Sequence, residues 1–128
     1  MTFVDTNVIM YAVGRAHPLK EEARRFFEEA VRDRTPLATS AEVLQELLHA
    51  YLPVTRLETL DAALELVEAR VETVWSVEKE DVRFARALVR AHGGLGARDL
   101  LHLACCRRRG IDTIKTFDRP LAAALRGR

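Results

Sequence analysis

Phe3-Val4-Asp5-Thr6-Asn7-Val8 reads as a short buried strand that turns directly into a helix, with a carboxylate at the turn. Thr2 to Val4 supply the strand and Val8 to Val13 begin the helix, so Asp5 falls at the join. In an α/β sheet that join is the carboxyl end of a strand, where ligands bind. The plainer role for Asp5 or Thr6 is to cap the helix that follows. Asp5 alone decides nothing; the decision rests on further acids in similar settings.

Working outward, the chain alternates helical and extended patterns. Pro18 opens a helix whose apolar residues Leu19, Ala23, Phe26, Phe27, Ala30 and Val31 recur at helical spacing, and Thr35-Pro36 break it. Leu37-Ala38 follow as a very short strand. Thr39-Ser40-Ala41-Glu42 has the form of a capping box, with Thr39 as N-cap and Glu42 three residues on. Glu46 differs from Glu42, because it sits at the edge of the apolar stripe of Val43, Leu44, Leu47, Leu48 and Tyr51. An acid at the margin of a buried face needs a partner. Thr55 and Glu58 suggest a second capping box, for a helix running to about Arg70.

Glu72 to Val77 reads as a strand around Trp75, and Glu78 to His92 as a helix. Gly93, Gly94 and Gly96 then form a loop that leads into the helix Arg98-Asp99-Leu100-Leu101-His102-Leu103-Ala104-Cys105-Cys106. Asp99 lies in its first turn, where the helix dipole favours an ionised carboxylate, and shares a face with His102, Leu103 and Cys106. Gly110 stops this helix. Thr113 to Thr116 form a last strand, and Phe117-Asp118 repeats the opening pattern of a strand ending in Asp before a helix starts at Pro120. Such alternation predicts an α/β fold, a mostly parallel sheet with helices on both faces. Asp5 and Asp118 then emerge side by side.

A chain of 128 residues, 48% hydrophobic and 30% charged, is expected to be a single globular domain spanning residues 1–128. It has no apolar run long enough for a membrane span and no basic segment leading into an apolar one, so a cytoplasmic location is expected. Cys105 and Cys106 are adjacent in an apolar segment, which suits packing better than a disulfide or a zinc half-site. The net charge is only +1, but residues 98–128 carry eight basic side chains against three acidic ones. That basic quarter can track a phosphate backbone, or Arg107, Arg108 and Arg109 can simply complement a helix C-terminus.

The series Asp5 in V-D-T-N, Glu46 in V-L-Q-E-L, Asp99 in A-R-D-L-L-H-L-A and Asp118 in T-F-D resembles the PIN-domain ribonucleases over nearly the whole chain. The likeness is to the compact members that serve as toxins of VapBC-type toxin-antitoxin pairs. It implies a three-layer sandwich whose central sheet of four to five short strands is flanked by helices. It also implies that Asp5, Glu46, Asp99 and Asp118 form the acidic site, that Thr116 supports it, and that Asn7 orients Asp5. Converging carboxylates repel, and a hard divalent cation relieves the repulsion. One or two Mg²⁺ or Mn²⁺ ions are therefore expected, while the absence of a His or Cys ligand cluster in the sequence argues against zinc.

The expected activity is metal-dependent cleavage of RNA, with Arg98 and Arg119 first, then Lys115, Arg107 and Arg108, as residues that hold the phosphate backbone. Expected partners are a small antitoxin lying in an apolar groove and a second copy of the chain. A housekeeping RNA-processing nuclease and a non-catalytic RNA- or partner-binding module are the alternatives. A haloacid-dehalogenase-type phosphatase fits worse, because Asn7 stands where that signature places its second Asp.

Overall fold

The computed structural model describes residues 1–127. Arg128, one of the charges in the basic C-terminal quarter, lies outside the described residues. The order of elements is β1 (Thr2–Val4), α1 (Thr6–Val13), α2 (Pro18–Arg32), β2 (Leu37–Ser40), α3 (Ala41–Tyr51), α4 (Leu57–Arg70), β3 (Thr73–Trp75), α5 (Lys79–Leu88), α6 (Ala97–Arg108), β4 (Ile114–Lys115) and α7 (Arg119–Gly127). The four strands form one sheet in the order β3-β2-β1-β4, and every neighbouring pair is parallel. All residues of β1 and β2 are buried, as expected for central strands covered on both faces. Helices α1 to α4 pack among themselves and α5 to α7 form a second group, giving the layered α/β arrangement.

The strand order reverses at β1, which lies between β2 and β4. The chain steps outward from β1 through β2 to β3 and then crosses back to place β4 on the other side of β1, and the crevice above the carboxyl end of β1 is the position where open parallel sheets bind ligands. Asp5 stands at that crevice. Beneath it Phe3 is fully buried, stacked on Trp75 at 5.8 Å between ring centroids and tilted against His102 at 5.5 Å. Burying a ring of that size contributes about 2–3 kcal/mol, so the floor of the crevice is also a core anchor.

Two capping assignments read from sequence are corrected here. Strand β2 runs on to Ser40, because Ala38, Thr39 and Ser40 pair with Thr73, Val74 and Trp75. Thr39 is thus a strand residue whose hydroxyl donates to the Val4 carbonyl at 2.9 Å, and Ser40 caps α3 by accepting from the Val43 N–H. Glu42, as the second residue of α3, has no capping-box role. Similarly, α4 begins after Arg56 without a side-chain cap, and Thr55 turns the chain at φ 57°. The reciprocal capping box occurs instead at α5, between Glu78 and Asp81. Gly110 ends α6 at φ +70°, a left-handed position that glycine occupies without penalty. Cys105 and Cys106 are free and fully buried, and burial pushes the Cys105 thiol up to about 11, in keeping with packing residues.

Candidate metal and acid site

Asp5 serves as N-cap of α1 and as a buried acid at once. Its Oδ1 accepts from the Thr6 N–H at 2.7 Å, and its Oδ2 accepts from the Thr116 hydroxyl at 2.6 Å. Thr116 reaches Asp5 because β4 pairs directly with β1. The same hydroxyl oxygen accepts from the Asp118 N–H at 2.9 Å and from the Asn7 amide at 3.4 Å, while the Asn7 carbonyl accepts from the Phe117 N–H. Asn7 therefore acts on Asp5 through Thr116, tying the first turn of α1 to the segment after β4. Asp118 caps α7 through the Leu121 N–H at 3.1 Å and lines the same cavity.

Glu46 projects from the second turn of α3 toward Asp5. The Thr6 hydroxyl donates to its Oε2, and its Oε1 lies 2.8 Å from His102 Nε2. His102, one turn beyond Asp99 on α6, is 1% exposed, and its Nε2 is also 3.7 Å from Asp5 Oδ1. Its Nδ1 has no hydrogen-bond partner among the described residues. That fits an imidazole whose Nε2–H donates to Glu46 while Nδ1 carries a bare lone pair against the core. Neither His102 nor Thr6 belongs to the set of site residues read from sequence. The available signal for His102 was its position three residues after Asp99, on the same helix face.

Asp5, Thr6, Glu46, Arg98, Asp99 and Asp118 line one cavity of about 380 Å³. All four acids expected from sequence thus meet at one place. Burial pushes the Asp5 carboxyl above its ordinary value, and His102, Thr116 and Thr6 offset this only in part. Burial also acts to raise Glu46, but the His102 and Thr6 hydrogen bonds outweigh it and hold this carboxyl below the usual range. Asp99 is pushed up to about 6, first by burial and then by Asp118 and Asp5. Burial disfavours charge on His102, yet Glu46, Asp5 and Asp99 together raise its value. The protein itself neutralises this cluster incompletely.

The donor set fits a cation. One ligand atom each from Asp5, Glu46 and His102 lies within 4.8 Å of the others, and further carboxylate oxygens are supplied by Asp99 and Asp118. The structure sets a single histidine, His102, against the acids, with its Nε2 turned to Glu46, so the atoms left free toward the cavity are carboxylate oxygens, the donors a hard cation takes. Of the basic residues expected near a phosphate backbone, Arg98 lines the cavity and Arg119 opens α7 beside Asp118. Lys115 lies 3.9 Å from Glu22 and over the Phe117 ring. Arg107 donates to the Ala124 carbonyl, and Arg108 is bound by Asp81 and Glu78.

Comparison with known proteins agrees with this geometry. The PIN-domain profile matches residues 2–124. Ribonuclease VapC23 of Mycobacterium tuberculosis is 61% identical over 126 residues, covering 98% of this chain and 99% of that protein. Ribonuclease VapC13 of the same species is 39% identical over 119 residues, covering 93% and 91%. Among solved structures, the sarcin-ricin-loop-cleaving toxin VapC20 of Mycobacterium tuberculosis superposes with a TM-score of 0.79 over 97% of this chain and 95% of that one. VapBC2 from Rickettsia felis, bound to a DNA fragment from its promoter, gives 0.70 over 91% and 86%. These two are 22% and 18% identical and speak to the fold. The chain belongs to the PIN-domain family and, within it, to the VapC ribonucleases.

Proposed function

We propose that the chain is the toxin of a toxin-antitoxin pair, hydrolysing RNA phosphodiester bonds at the Asp5, Glu46, Asp99 and Asp118 cavity with one or two Mg²⁺ or Mn²⁺ ions. The observation that carries this reading is the convergence of Asp5, Glu46, Asp99 and Asp118 on one cavity of about 380 Å³, where like charges call for a cation. When bound, such an ion supplies Lewis-acid stabilisation of the phosphodiester and a lower pKa for the attacking water.

The protein's own contribution is to hold oxygens in place. Thr6 N–H and Thr116 fix both oxygens of Asp5, while Thr6 Oγ1 and His102 Nε2 fix both oxygens of Glu46. These four donors leave the remaining lone pairs of Asp5 and Glu46 directed by a rigid frame, as an effective ligand set requires. Asp99 and Asp118 face the same cavity; in this reading Asp99 joins Asp5 as a direct ligand, and Asp118, with Glu46, binds a second ion or orients the attacking water. In the hydrolysis, water oxygen bonds to phosphorus and the P–O3′ bond breaks. The products are a 5′-phosphate and a 3′-hydroxyl that takes up a proton. Arg98 and Arg119 are the residues we place against the phosphate backbone.

The same reading assigns a small VapB-like antitoxin as inhibitor, a second copy of the chain as dimer partner and the cytoplasm as the site of action. Among the described residues no helix is long and apolar enough to cross a membrane. The test is cleavage of a mixed RNA pool by purified protein with Mg²⁺ or Mn²⁺, with chelator, and by Asp5→Asn. Cutting that requires both the metal and Asp5 is expected. Intact RNA across structured transfer and ribosomal substrates, with folded and metal-loaded protein, would favour a binding module.

A further inference from the structure

A second cavity of about 390 Å³ continues from the acid site along α1, sharing Asn7 and Met10 with it. Its character changes abruptly. The acid cavity is lined by carboxylates, whereas this cleft has none; Tyr11, His17, Tyr51, Arg15 and Arg56 line it. Tyr11 and His17 lie 4.6 Å apart between ring centroids, with Phe117 edge-on to Tyr11 at 5.5 Å. Arg56 sits 5.8 Å over the buried Tyr51 ring. Gly14 also lines the cleft.

We propose that this cleft is a nucleobase subsite, holding an unpaired base of the RNA strand next to the phosphate positioned at Asp5. The proposal rests on the ribonuclease reading above and adds to it where the substrate's flanking nucleotide goes. Aromatic faces joined to cationic side chains are the combination that grips unstacked bases of single strands, since every base has a π-face and each is followed by a phosphate. The spacing agrees: Tyr11 lies four residues along α1 from Asn7, about 6 Å at 1.5 Å per residue, one nucleotide's reach in an unstacked strand. A cavity of about 530 Å³ along α2 and α4 shares no residue with the acid site, and its two arginines, Arg24 and Arg70, are matched by Glu28 and Glu65.

The cleft also has the means to select. Two arginines bring hydrogen-bond donors and no acceptor to the entering base, favouring base edges rich in acceptors.

The test combines a protein change with a substrate change. His17 caps α2 through its Nδ1, so His17→Ser removes the ring while keeping a side chain that caps well. Arg56→Gln removes the second arm. Binding of a cleavable-site oligoribonucleotide is measured by fluorescence anisotropy in chelator, and cleavage is measured separately with metal. A set of substrates carries one abasic residue on either side of the scissile bond. For the unaltered protein, one abasic position is expected to weaken binding by about 5- to 100-fold. His17→Ser with Arg56→Gln should lose a similar factor with the intact substrate and become indifferent to that abasic position. Binding by the altered protein that stays equally sensitive to every abasic position would overturn the subsite, and would leave the cleft to a peptide partner. Absence of metal-dependent cleavage by the unaltered protein would instead overturn the underlying ribonuclease reading, and the subsite with it.

Discussion

Two clusters of charge lie on opposite ends of α6, and only one of them is closed. At the C-terminal end Asp81, fully buried, is held by Arg108 at 2.6 Å and Arg109 at 2.8 Å, with Glu78 joining both arginines and Arg109 lying over the Trp75 ring. Two acids meet two bases, and burial's upward push on Asp81 is outweighed by these hydrogen bonds, which hold its carboxyl far below the ordinary range. At the N-terminal end Asp5, Glu46, Asp99 and Asp118 share one cavity with Arg98, His102 backs Glu46 at 2.8 Å, and burial prevails at Asp5 and Asp99. A charge cluster that the chain completes by itself is structure. One that it leaves in excess has room for a charge from outside, on the proposed function a cation.

The sharpest way to break this distinction is to neutralise one acid in each cluster. Asp5→Asn is expected to reduce RNA cleavage by about 10²- to 10³-fold or more, while thermal unfolding stays unchanged or moves upward because a poorly compensated buried charge has gone. A large fall in melting temperature would instead make Asp5 a structural acid like Asp81. Metal supplies the complementary test. An ion at a hundred times its dissociation constant should add about 2.7 kcal/mol to the unfolding free energy of the unaltered protein. Denaturant titrations of Asp5→Asn with Glu46→Gln should show almost none of that gain.

Asp81→Asn should give the reverse result: stability lower by about 2–3 kcal/mol, with cleavage per folded molecule within about twofold. That loss is smaller than the full penalty for breaking a buried pair, since Arg108 and Arg109 keep 30% and 19% of their side chains exposed. The pH dependence follows from the depressed carboxyl. Because Asp81 binds its proton less readily in the folded protein than in the unfolded chain, its stabilisation is complete above about pH 4. It is lost as the pH falls from there through the folded value. Urea denaturation between pH 2 and 7 should show this acid limb in the unaltered protein and a flattened one in Asp81→Asn.

The two clusters also differ in how far the sequence discloses them. Asp5 and Asp118 stand out because each follows a strand, Asp5 directly after β1 and Asp118 three residues past β4, and β1 and β4 pair; both also cap helices, so the structural and functional readings of these acids coexist. Glu46 is visible as an acid at the edge of an apolar stripe. His102 is hard to single out because a histidine on a buried face commonly serves as core, and only the tertiary approach of α3 to α6 reveals its Glu46 contact. The closed cluster is less legible still. Asp81 finds Arg108 and Arg109 across 27 and 28 residues of chain, a pairing that no local spacing records. The shift of the α3 cap from Thr39 to Ser40 has the same origin, since pairing with β3 decides where β2 ends.

The smallest expected effect concerns His102, which belongs to both categories: core by burial, site by its contact with Glu46. His102→Leu fills the space beside Phe3 with apolar atoms and removes the unpartnered Nδ1, so stability should hold or rise. It also frees one oxygen of Glu46. Loss of a side chain that orients a metal-binding carboxylate reduces metal affinity by about tenfold or more. His102→Gln keeps an N–H donor near the Nε2 position and should recover most of that loss, although it packs less well against Phe3. Calorimetric titration of Mn²⁺ into the two variants separates the roles. Affinity that is weak in His102→Leu and restored in His102→Gln assigns His102 to the site through its hydrogen bond. Equal affinity in both would place it with Asp81, as a buried group whose only task is to hold the fold together.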